Sequence, residues 1–221
     1  MTGEVVVRWL ARQDYLPTLE RMRSFSSARE PHTPDEIWLL EHPPVYTLGL
    51  AGDPRHVLAA GNTPVVKTDR GGQVTWHGPG QLVAYVLLDL KRLALGPREL
   101  VRKLEAAVIA LLRDWKIEAA ARPGAPGVYV EDAKIASLGL RIRNGRCWHG
   151  LALNIAPDLA GFAGINPCGY EGLAVTSLQR LGVDVSLEQA GSLLADALCR
   201  AFYGTPAPAI ISAMPTGLAS P

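Results

Sequence analysis

The stretch KIASLGLRIRNGRCWHGLALNI, residues 134–155, carries the pattern that decides the fold. Two runs of strand type, residues 134–143 and 146–155, flank Asn144 and Gly145, a dipeptide suited to a type I′ turn. A two-residue loop fixes the pairing register, so Arg143 is expected opposite Arg146 and the other pairs follow outward. The stretch is therefore predicted to be an antiparallel hairpin.

This register gives the hairpin two different faces. One face is an apolar core face, made of Ala136, Leu138, Leu140 and Ile142 opposite Leu153, Leu151, His149 and Cys147. The other face carries only small residues, Ser137 and Gly139 opposite Ala152 and Gly150. Small residues leave a shallow channel, which either allows a helix or backbone to pack closely or forms a slot for a ligand chain. The pattern alone leaves both readings open.

Other strands and helices are predicted on both sides of the hairpin. Strands are expected at residues 5–10, 37–40, 45–48, 65–67 and 82–90, and helices at 14–30, 97–115 and 186–203. The first helix has Asp14 as N-cap and places Leu16, Leu19 and Met22 on one face. Ser186 and Gln189 fit a capping box at the start of the last helix. A mixed sheet with flanking helices, an α/β (α+β) fold, is the prediction.

Composition places the chain among globular proteins. Hydrophobic residues make up 48% of its 221 residues, which favours a single domain over residues 1–205. Residues 206–221 are rich in Pro and Ala, and we expect a flexible tail there. The formal net charge of +1 gives no reason to expect nucleic acid or a membrane as partner.

Cysteine and histidine spacing narrows the chemistry further. The three cysteines lack CxxC spacing, and the five histidines lack HxxxH or HxH spacing, so neither a disulfide framework nor a metal site is predicted. The N-terminus does not look like a secretory signal, and no apolar run reaches the ~20 residues that span a bilayer. A cytoplasmic location is therefore expected.

Cys168 lies in GINPCGYEG, residues 164–172, a segment dense in Gly and Pro. Such a segment is typical of a loop, where a thiol is accessible to substrate. Cys168 is either a nucleophile or an incidental loop cysteine. Cys147 and Cys199 fall on apolar faces and are interpreted as structural.

Lys134 is the second candidate. At the edge of an apolar face it either acts as a partly desolvated base or extends its stem over the sheet and keeps its charge in water. Strand alternation puts it on the face opposite the small-residue channel, although a bulge at the strand end could re-aim it.

The third candidate is RGGQVTWHGPGQ, residues 70–81. Its glycines allow a ligand to approach the backbone closely, Arg70 supplies a charged fork, and His77 could donate to an oxyanion. An ordinary glycine-rich turn is the alternative.

Read together, these segments resemble the lipoyl/octanoyl transferase family. The signature R-G-G-x-x-T-aromatic-H-x-x-G-Q-x-apolar-x-Y is met from Arg70 through Tyr85. The later blocks KIASLG, HGLALN and NPCG begin at Lys134, His149 and Asn166. The matches follow one another in order over residues 41–181.

This resemblance implies a fold like the catalytic domain of biotin and lipoate protein ligases. It implies Cys168 as the nucleophile that carries an acyl thioester and Lys134 as its activator. The implied substrate contacts are Arg70, Gly71, Gly72, Gln73, Val74, Thr75, Trp76, His77, Ser137, Leu138, Gly139, Gly150, Leu151 and Ala152, with His149 and Asn154 as possible support. These contacts include the small-residue channel of Ser137, Gly139, Gly150 and Ala152, which favours a slot for a ligand chain over simple close packing.

The reaction implied is octanoyl transfer, without cofactor or metal, in the first step of protein lipoylation. The implied donor is octanoyl-acyl carrier protein, and the acceptors are lipoyl domains of 2-oxoacid dehydrogenase E2 subunits and the glycine cleavage H protein. Two rivals remain: an ATP-dependent lipoate or biotin protein ligase, which needs no cysteine nucleophile, and a non-catalytic acyl-binding module, which needs neither Lys134 nor Cys168.

Overall fold

A computed structural model describes residues 4–215. The elements, in chain order, are β1 (Val5–Arg12), α1 (Tyr15–Ala28), β2 (Asp35–Glu41), β3 (Val45–Leu48), β4 (Val65–Lys67), β5 (Val74–His77), β6 (Gln81–Asp89), α2 (Pro97–Asp114), β7 (Ala120–Ala121), β8 (Gly127–Val130), β9 (Ala133–Arg143), β10 (Arg146–Asn154) and α3 (Leu187–Tyr203). No helix in this part of the chain combines the length and apolar character needed to cross a membrane.

The strands form two sheets. The large sheet has seven strands in the order β1-β2-β6-β10-β9-β8-β7, and the small sheet has three in the order β4-β3-β5. In the large sheet β1 and β2 are parallel and the remaining pairs are antiparallel. Helices α2 and α3 pack on one face of the large sheet, and α1 packs on the other. The predicted mixed sheet with flanking helices is confirmed.

The hairpin has the predicted register. Arg143 pairs with Arg146, and Gly139 pairs with Gly150. Asn144 and Gly145 have φ of +54° and +78°, as a type I′ turn requires. The hairpin lies inside the large sheet because β6 pairs with β10 along most of its length.

A bulge interrupts the pairing of β9 with β8. Val128 pairs with Ala136, whereas the next residue, Tyr129, pairs with Lys134, so Ile135 is the extra residue. Ile135 and Ala136 both pack into the core beneath α2 and α3. The bulge therefore moves Lys134 to the other face of the sheet.

Local signals at the helix ends had mixed outcomes. The capping box of Ser186 and Gln189 is confirmed. Asp14 is the N-cap of α1, but its side chain makes no capping hydrogen bond. The prediction that Leu16 packs with Leu19 and Met22 was wrong, because Leu16 is 53% exposed and Tyr15 is buried in its place.

Part of the predicted tail lies against β1. Trp9 N donates to Ile211 O at 3.0 Å, and Ile211 N donates to Val7 O at 2.9 Å. Arg8 also donates to Ala213 O at 3.0 Å. The rest of that tail, residues 216–221, lies outside the described residues, and the division of the chain at residue 205 stays a prediction.

Asp35 joins four parts of the fold, and we expect Asp35→Ala to be strongly destabilising. Its fully buried carboxylate accepts hydrogen bonds from Arg29, Arg92, Tyr203 and Asp89 N, at 2.5, 2.7, 2.8 and 2.8 Å. Its removal leaves the buried guanidinium of Arg29 without its counter-ion. The expected loss in the free energy of unfolding is about 3–5 kcal/mol, measured by urea denaturation.

Asp132→Ala is the matched control. Asp132 also pairs with an arginine, Arg122, at 2.7 Å, but its side chain is 98% exposed. We expect a change of about 1 kcal/mol or less. Equal losses in the two variants would show that Asp35 has no special part in the fold.

Candidate active site

A cavity of about 410 Å³ lies between the hairpin, the small sheet and the turn that carries Cys168. This volume is within the range of about 300–1,000 Å³ for small-molecule sites. Apart from Trp76 and Asn154, every site residue named from the sequence lines this cavity. Trp76 instead packs on Phe162, with ring centroids 5.3 Å apart. Asn154 supports the wall by accepting from Gln81 and donating to Thr176 O.

Cys168 occupies a strained turn. It lies in the short 3-10 segment Pro167–Gly169 with φ +58° and ψ +16°, a left-handed conformation that is uncommon for a residue with a side chain. The turn is held by Gly169 N, which donates to Asn166 O at 2.9 Å, and by Asn166 N, which donates to His56 O at 2.9 Å. The Cys168 side chain is half-buried and lines the cavity.

The other two cysteines are in different surroundings. Cys147 on β10 and Cys199 on α3 are both buried in the core between the large sheet and helices α2 and α3. Burial raises the pKa of Cys147 well above its usual range and raises that of Cys199 to about 11. Both thiols therefore stay protonated near neutral pH, which leaves Cys168 as the accessible thiol among the three.

Lys134 meets Cys168 inside the protein. Its Nζ lies 3.0 Å from Cys168 Sγ, within hydrogen-bond distance, and the residue is only 2% exposed. Its backbone is fixed on both sides, since Lys134 N donates to Ala174 O at 2.8 Å and Thr176 N donates to Lys134 O at 3.0 Å. Nζ also lies 5.2 Å from the centre of the Tyr129 ring, within range of a cation–π contact. The bulge thus brings Lys134 to the cavity.

The glycine-rich loop brings a buried charge to the same cavity. Arg70 donates to Thr47 O, Thr47 Oγ1 and Gly71 O at 2.6 to 3.2 Å. It forms no salt bridge within residues 4–215. Burial lowers the pKa of Arg70, while the neighbouring Tyr15, Cys168 and Tyr85 oppose that shift. A guanidinium without a carboxylate partner can interact with negative charge that develops in the cavity.

The small-residue face packs against the glycine-rich loop and also lines the cavity. A Cβ on Gly139 would lie 3.0 Å from Gly71 O and 3.1 Å from Arg70 Cδ, so this glycine allows the loop to pack closely. Gly71 N also donates to Leu140 O at 2.8 Å, which ties the loop to β9. Gly139 and Gly150 nevertheless line the cavity as well.

His77 is held as a neutral imidazole. Burial, His42 and Arg70 lower its pKa to about 3. Its Nδ1 lies 2.7 Å from Gln81 Oε1, and since Gln81 Nε2 donates to Asn154, His77 Nδ1 carries the proton. Its single N–H is therefore used within the wall, and this network does not support His77 as an oxyanion donor.

His149 departs from the face predicted for it. Its neighbours Cys147 and Leu151 face the core, but His149 has φ +64°, and its Nε2 lies 2.8 Å from Asp69 Oδ1. Its ring also lies 6.0 Å from that of Tyr85, on the other face of the sheet. The prediction of a core position was wrong, because the left-handed backbone turns the ring toward the cavity.

The pKa values of both His149 and Asp69 are lowered, for different reasons. Burial lowers the pKa of His149, and Asp69 offsets this in part. Burial raises the pKa of Asp69, but the hydrogen bond and charge of His149 and the charge of Arg23 outweigh it and lower the value to about 2. Asp69 is thus ionised near neutral pH.

Sequence reasoning missed other residues of the site. Tyr15, Tyr170 and Val101 line the cavity from α1, from the Cys168 turn and from α2. Tyr85 donates to His42 Nε2 at 2.7 Å, because His42 Nδ1 donates to a backbone carbonyl. Only Tyr85 had a sequence signal, as the last residue of the Arg70 signature. Among the described residues no group of three or more His, Cys, Asp or Glu is arranged to hold a metal ion.

Solved structures define the class of fold. A crystal structure of lipoate-protein ligase A bound with ATP matches with a TM-score of 0.72 and 14% identity over 96% of this chain and 88% of that one. A bi-partite lipoate protein ligase from Thermoplasma acidophilum matches with a TM-score of 0.71 and 16% identity, over 96% of this chain and 86% of that one. Biotin protein ligase from Aquifex aeolicus matches with a TM-score of 0.52 and 12% identity, over 91% of this chain and 70% of that one. The protein therefore has the catalytic-domain fold of lipoate and biotin protein ligases.

Sequence comparison narrows this class to one family. The Lipoyl protein ligase A/B catalytic domain pattern matches residues 14–199, and the chain belongs to that family. An octanoyltransferase of Pseudomonas entomophila is 56% identical over 200 residues, 90% of this chain and 93% of that one. Another, from Methylococcus capsulatus, is 58% identical over 189 residues, 86% and 91% of the two chains.

Proposed function

We propose that this protein transfers an octanoyl group from acyl carrier protein to a lysine of a lipoyl domain through a thioester on Cys168. That it is an acyltransferase of protein lipoylation rests on its family and its octanoyltransferase relatives. The observation that carries the proposed mechanism is the 3.0 Å contact of Lys134 Nζ with Cys168 Sγ at the cavity wall.

In the first half-reaction Cys168 attacks the donor thioester. Lys134 takes the thiol proton, the bond from Sγ to the acyl carbon forms, and the bond to the carrier sulfur breaks. The carrier thiolate then receives a proton from Lys134. Negative charge develops on the acyl oxygen, which the Arg70 guanidinium and the Thr75 hydroxyl stabilise. Thr75 Oγ1 is suited to this because it is buried and has no hydrogen-bond partner within residues 4–215.

In the second half-reaction the acceptor amine attacks the octanoyl thioester on Cys168. The C–N bond forms and the C–S bond breaks, and Lys134 takes a proton from the attacking amine and passes it to the departing Cys168 thiolate. The free thiol and the amide product result. A thioester is converted to an amide, so the reaction needs neither ATP nor a metal ion, and ping-pong kinetics are expected.

The proposed partners are octanoyl-acyl carrier protein as donor and the lipoyl domains of E2 subunits and of the glycine cleavage H protein as acceptors. Three arginines at the hairpin tip could guide an acidic carrier to the enzyme. One of them has a structural contact, since Arg146 donates to Ser26 O, Ser27 O and Arg29 O at the end of α1. Arg141 and Arg143 remain for docking. A cytoplasmic location stays a prediction.

The choice of acyl donor tests the proposed function. After mixing with octanoyl-acyl carrier protein, the intact mass should increase by one octanoyl group, and peptide mapping should place it on Cys168. A lipoyl domain added next should take over the group stoichiometrically. Free octanoate with ATP should leave both proteins unmodified, whereas an ATP-dependent ligase would modify the lipoyl domain under those conditions.

A further inference from the structure

We propose that Gly127 and Glu105 are positioning residues that hold the Lys134 amine at Cys168. The inference rests on the proposed function, in which Lys134 moves the Cys168 proton. Neither residue lies in the segments that suggested the site from the sequence. Gly127 begins β8, and Glu105 lies on the buried side of α2.

Gly127 makes room for the lysine side chain. A Cβ at this position would lie 2.3 Å from Lys134 Cε and 2.9 Å from Lys134 Nζ, closer than van der Waals contact allows. It would also lie 2.7 Å from Ala136 O, which the sheet holds in place. The Lys134 amine therefore occupies space that only glycine leaves free.

The backbone at Gly127 also requires glycine. Its φ of +142° lies in a region that residues with side chains rarely adopt. This conformation occurs where β8 begins to pair with β9, at Ser137. Two residues later Tyr129 pairs with Lys134 across the bulge, and its ring faces Nζ. Strand β8 thus contacts the lysine through Gly127 and through Tyr129.

Glu105 fixes the position of Gly127. Gly127 N donates to Glu105 Oε1 at 3.0 Å, and both residues are buried. A charge-assisted hydrogen bond is stronger than one between neutral groups, and a buried carboxylate requires such a partner. The contact joins α2 to the first residue of β8. A helix outside the reacting centre therefore determines where β8 packs against the Lys134 side chain.

The proposal predicts a loss of turnover with substrate binding retained. Gly127→Ala displaces the Lys134 amine from Cys168, so we expect kcat to fall about 100-fold, the lower part of the contribution usual for a general base. KM for octanoyl-acyl carrier protein should change less than threefold. The rate of Cys168 alkylation by iodoacetamide at neutral pH should fall to that of Lys134→Ala, since alkylation reports the thiolate.

Variants of Glu105 separate positioning from folding. Glu105→Gln keeps an acceptor oxygen for Gly127 N, and its kcat and alkylation rate should stay within about threefold of the wild type. Glu105→Leu removes the acceptor, and both rates should fall at least tenfold while circular dichroism shows a folded protein. These two variants decide the question even if Gly127→Ala does not fold.

Gly182→Ala is the control for backbone strain. Gly182 also has a positive φ, +80°, but a Cβ there would meet no atom within 4 Å. Its kcat should be unchanged. If Lys134→Ala slows alkylation but Gly127→Ala and Glu105→Leu do not, the positioning proposal is wrong and the proposed function stands. If Lys134→Ala itself leaves alkylation unchanged, the role proposed for Lys134 fails, and the positioning proposal fails with it.

Discussion

Replacing Cys168 with serine is expected to remove the octanoyl adduct and to lower octanoyl transfer on the order of 10⁴-fold or more. A hydroxyl holds its proton far more tightly than a thiol, so Lys134, 3.0 Å from Sγ in the wild type, cannot generate the corresponding alkoxide near neutral pH. An ester on serine would also react more slowly with an amine than a thioester does. The measurements are the intact mass after mixing with octanoyl-acyl carrier protein and the initial rate of lipoyl-domain octanoylation.

Cys199→Ala provides the matched control. Cys199 is fully buried in the core, away from the cavity lining. This variant should keep the adduct and a wild-type rate at temperatures where it is folded. An adduct that persists in Cys168→Ser would show that another residue carries the acyl group, and the thioester mechanism would be wrong.

Features set by local chemistry could be predicted from the sequence. Asn144 and Gly145 fix the hairpin register because a type I′ turn requires two positive φ values, which these two residues adopt readily. Ser186 begins α3 because its hydroxyl and the Gln189 side chain satisfy backbone groups within one turn of helix. Both predictions depend on contacts over three residues or fewer, so neither required the rest of the fold.

The position of Lys134 depends on a distant part of the chain. Alternation along β9 alone puts Lys134 on the core face. The bulge that moves Lys134 to the other face exists because the pairing of β8 with β9 shifts register between Val128 and Tyr129. Val128, Tyr129 and Val130 are strand-forming residues, but nothing in this four-residue segment indicates that it pairs with β9 with a shift of register. The sequence therefore indicated Lys134 by its residue type and by family resemblance, while its contact with Cys168 needed the structure.

The same limit applies to β5 and His149. Val74 to His77 read as part of a glycine-rich loop, yet they form a strand because β3 pairs with them from Val45 to Leu48. His149 leaves the core face through its left-handed backbone, and its ring is held in the cavity wall by a hydrogen bond to Asp69, which is 80 residues away in the chain. In both cases the partner that determines the conformation is remote in sequence.

Replacing Lys134 with alanine is expected to slow adduct formation by about 10²- to 10⁴-fold, the usual contribution of a general acid–base group. Single-turnover mixing with octanoyl-acyl carrier protein isolates this step from transfer to the acceptor. Lys134→Arg keeps a positive charge beside Sγ but cannot accept a proton, and we expect it to be as slow as the alanine variant. A fast arginine variant would mean that charge alone activates the thiol.

Lys67→Ala controls for the loss of a lysine, because Lys67 is exposed on β4, and its single-turnover rate should equal that of the wild type. Both Lys134 variants should still bind the donor, since the cavity wall formed by the Arg70 loop and the hairpin does not depend on the amine. Adduct formation within threefold of wild type in Lys134→Ala would contradict the mechanism. In that case the contact with Sγ would be structural, and the proton of Cys168 would have to leave by another route.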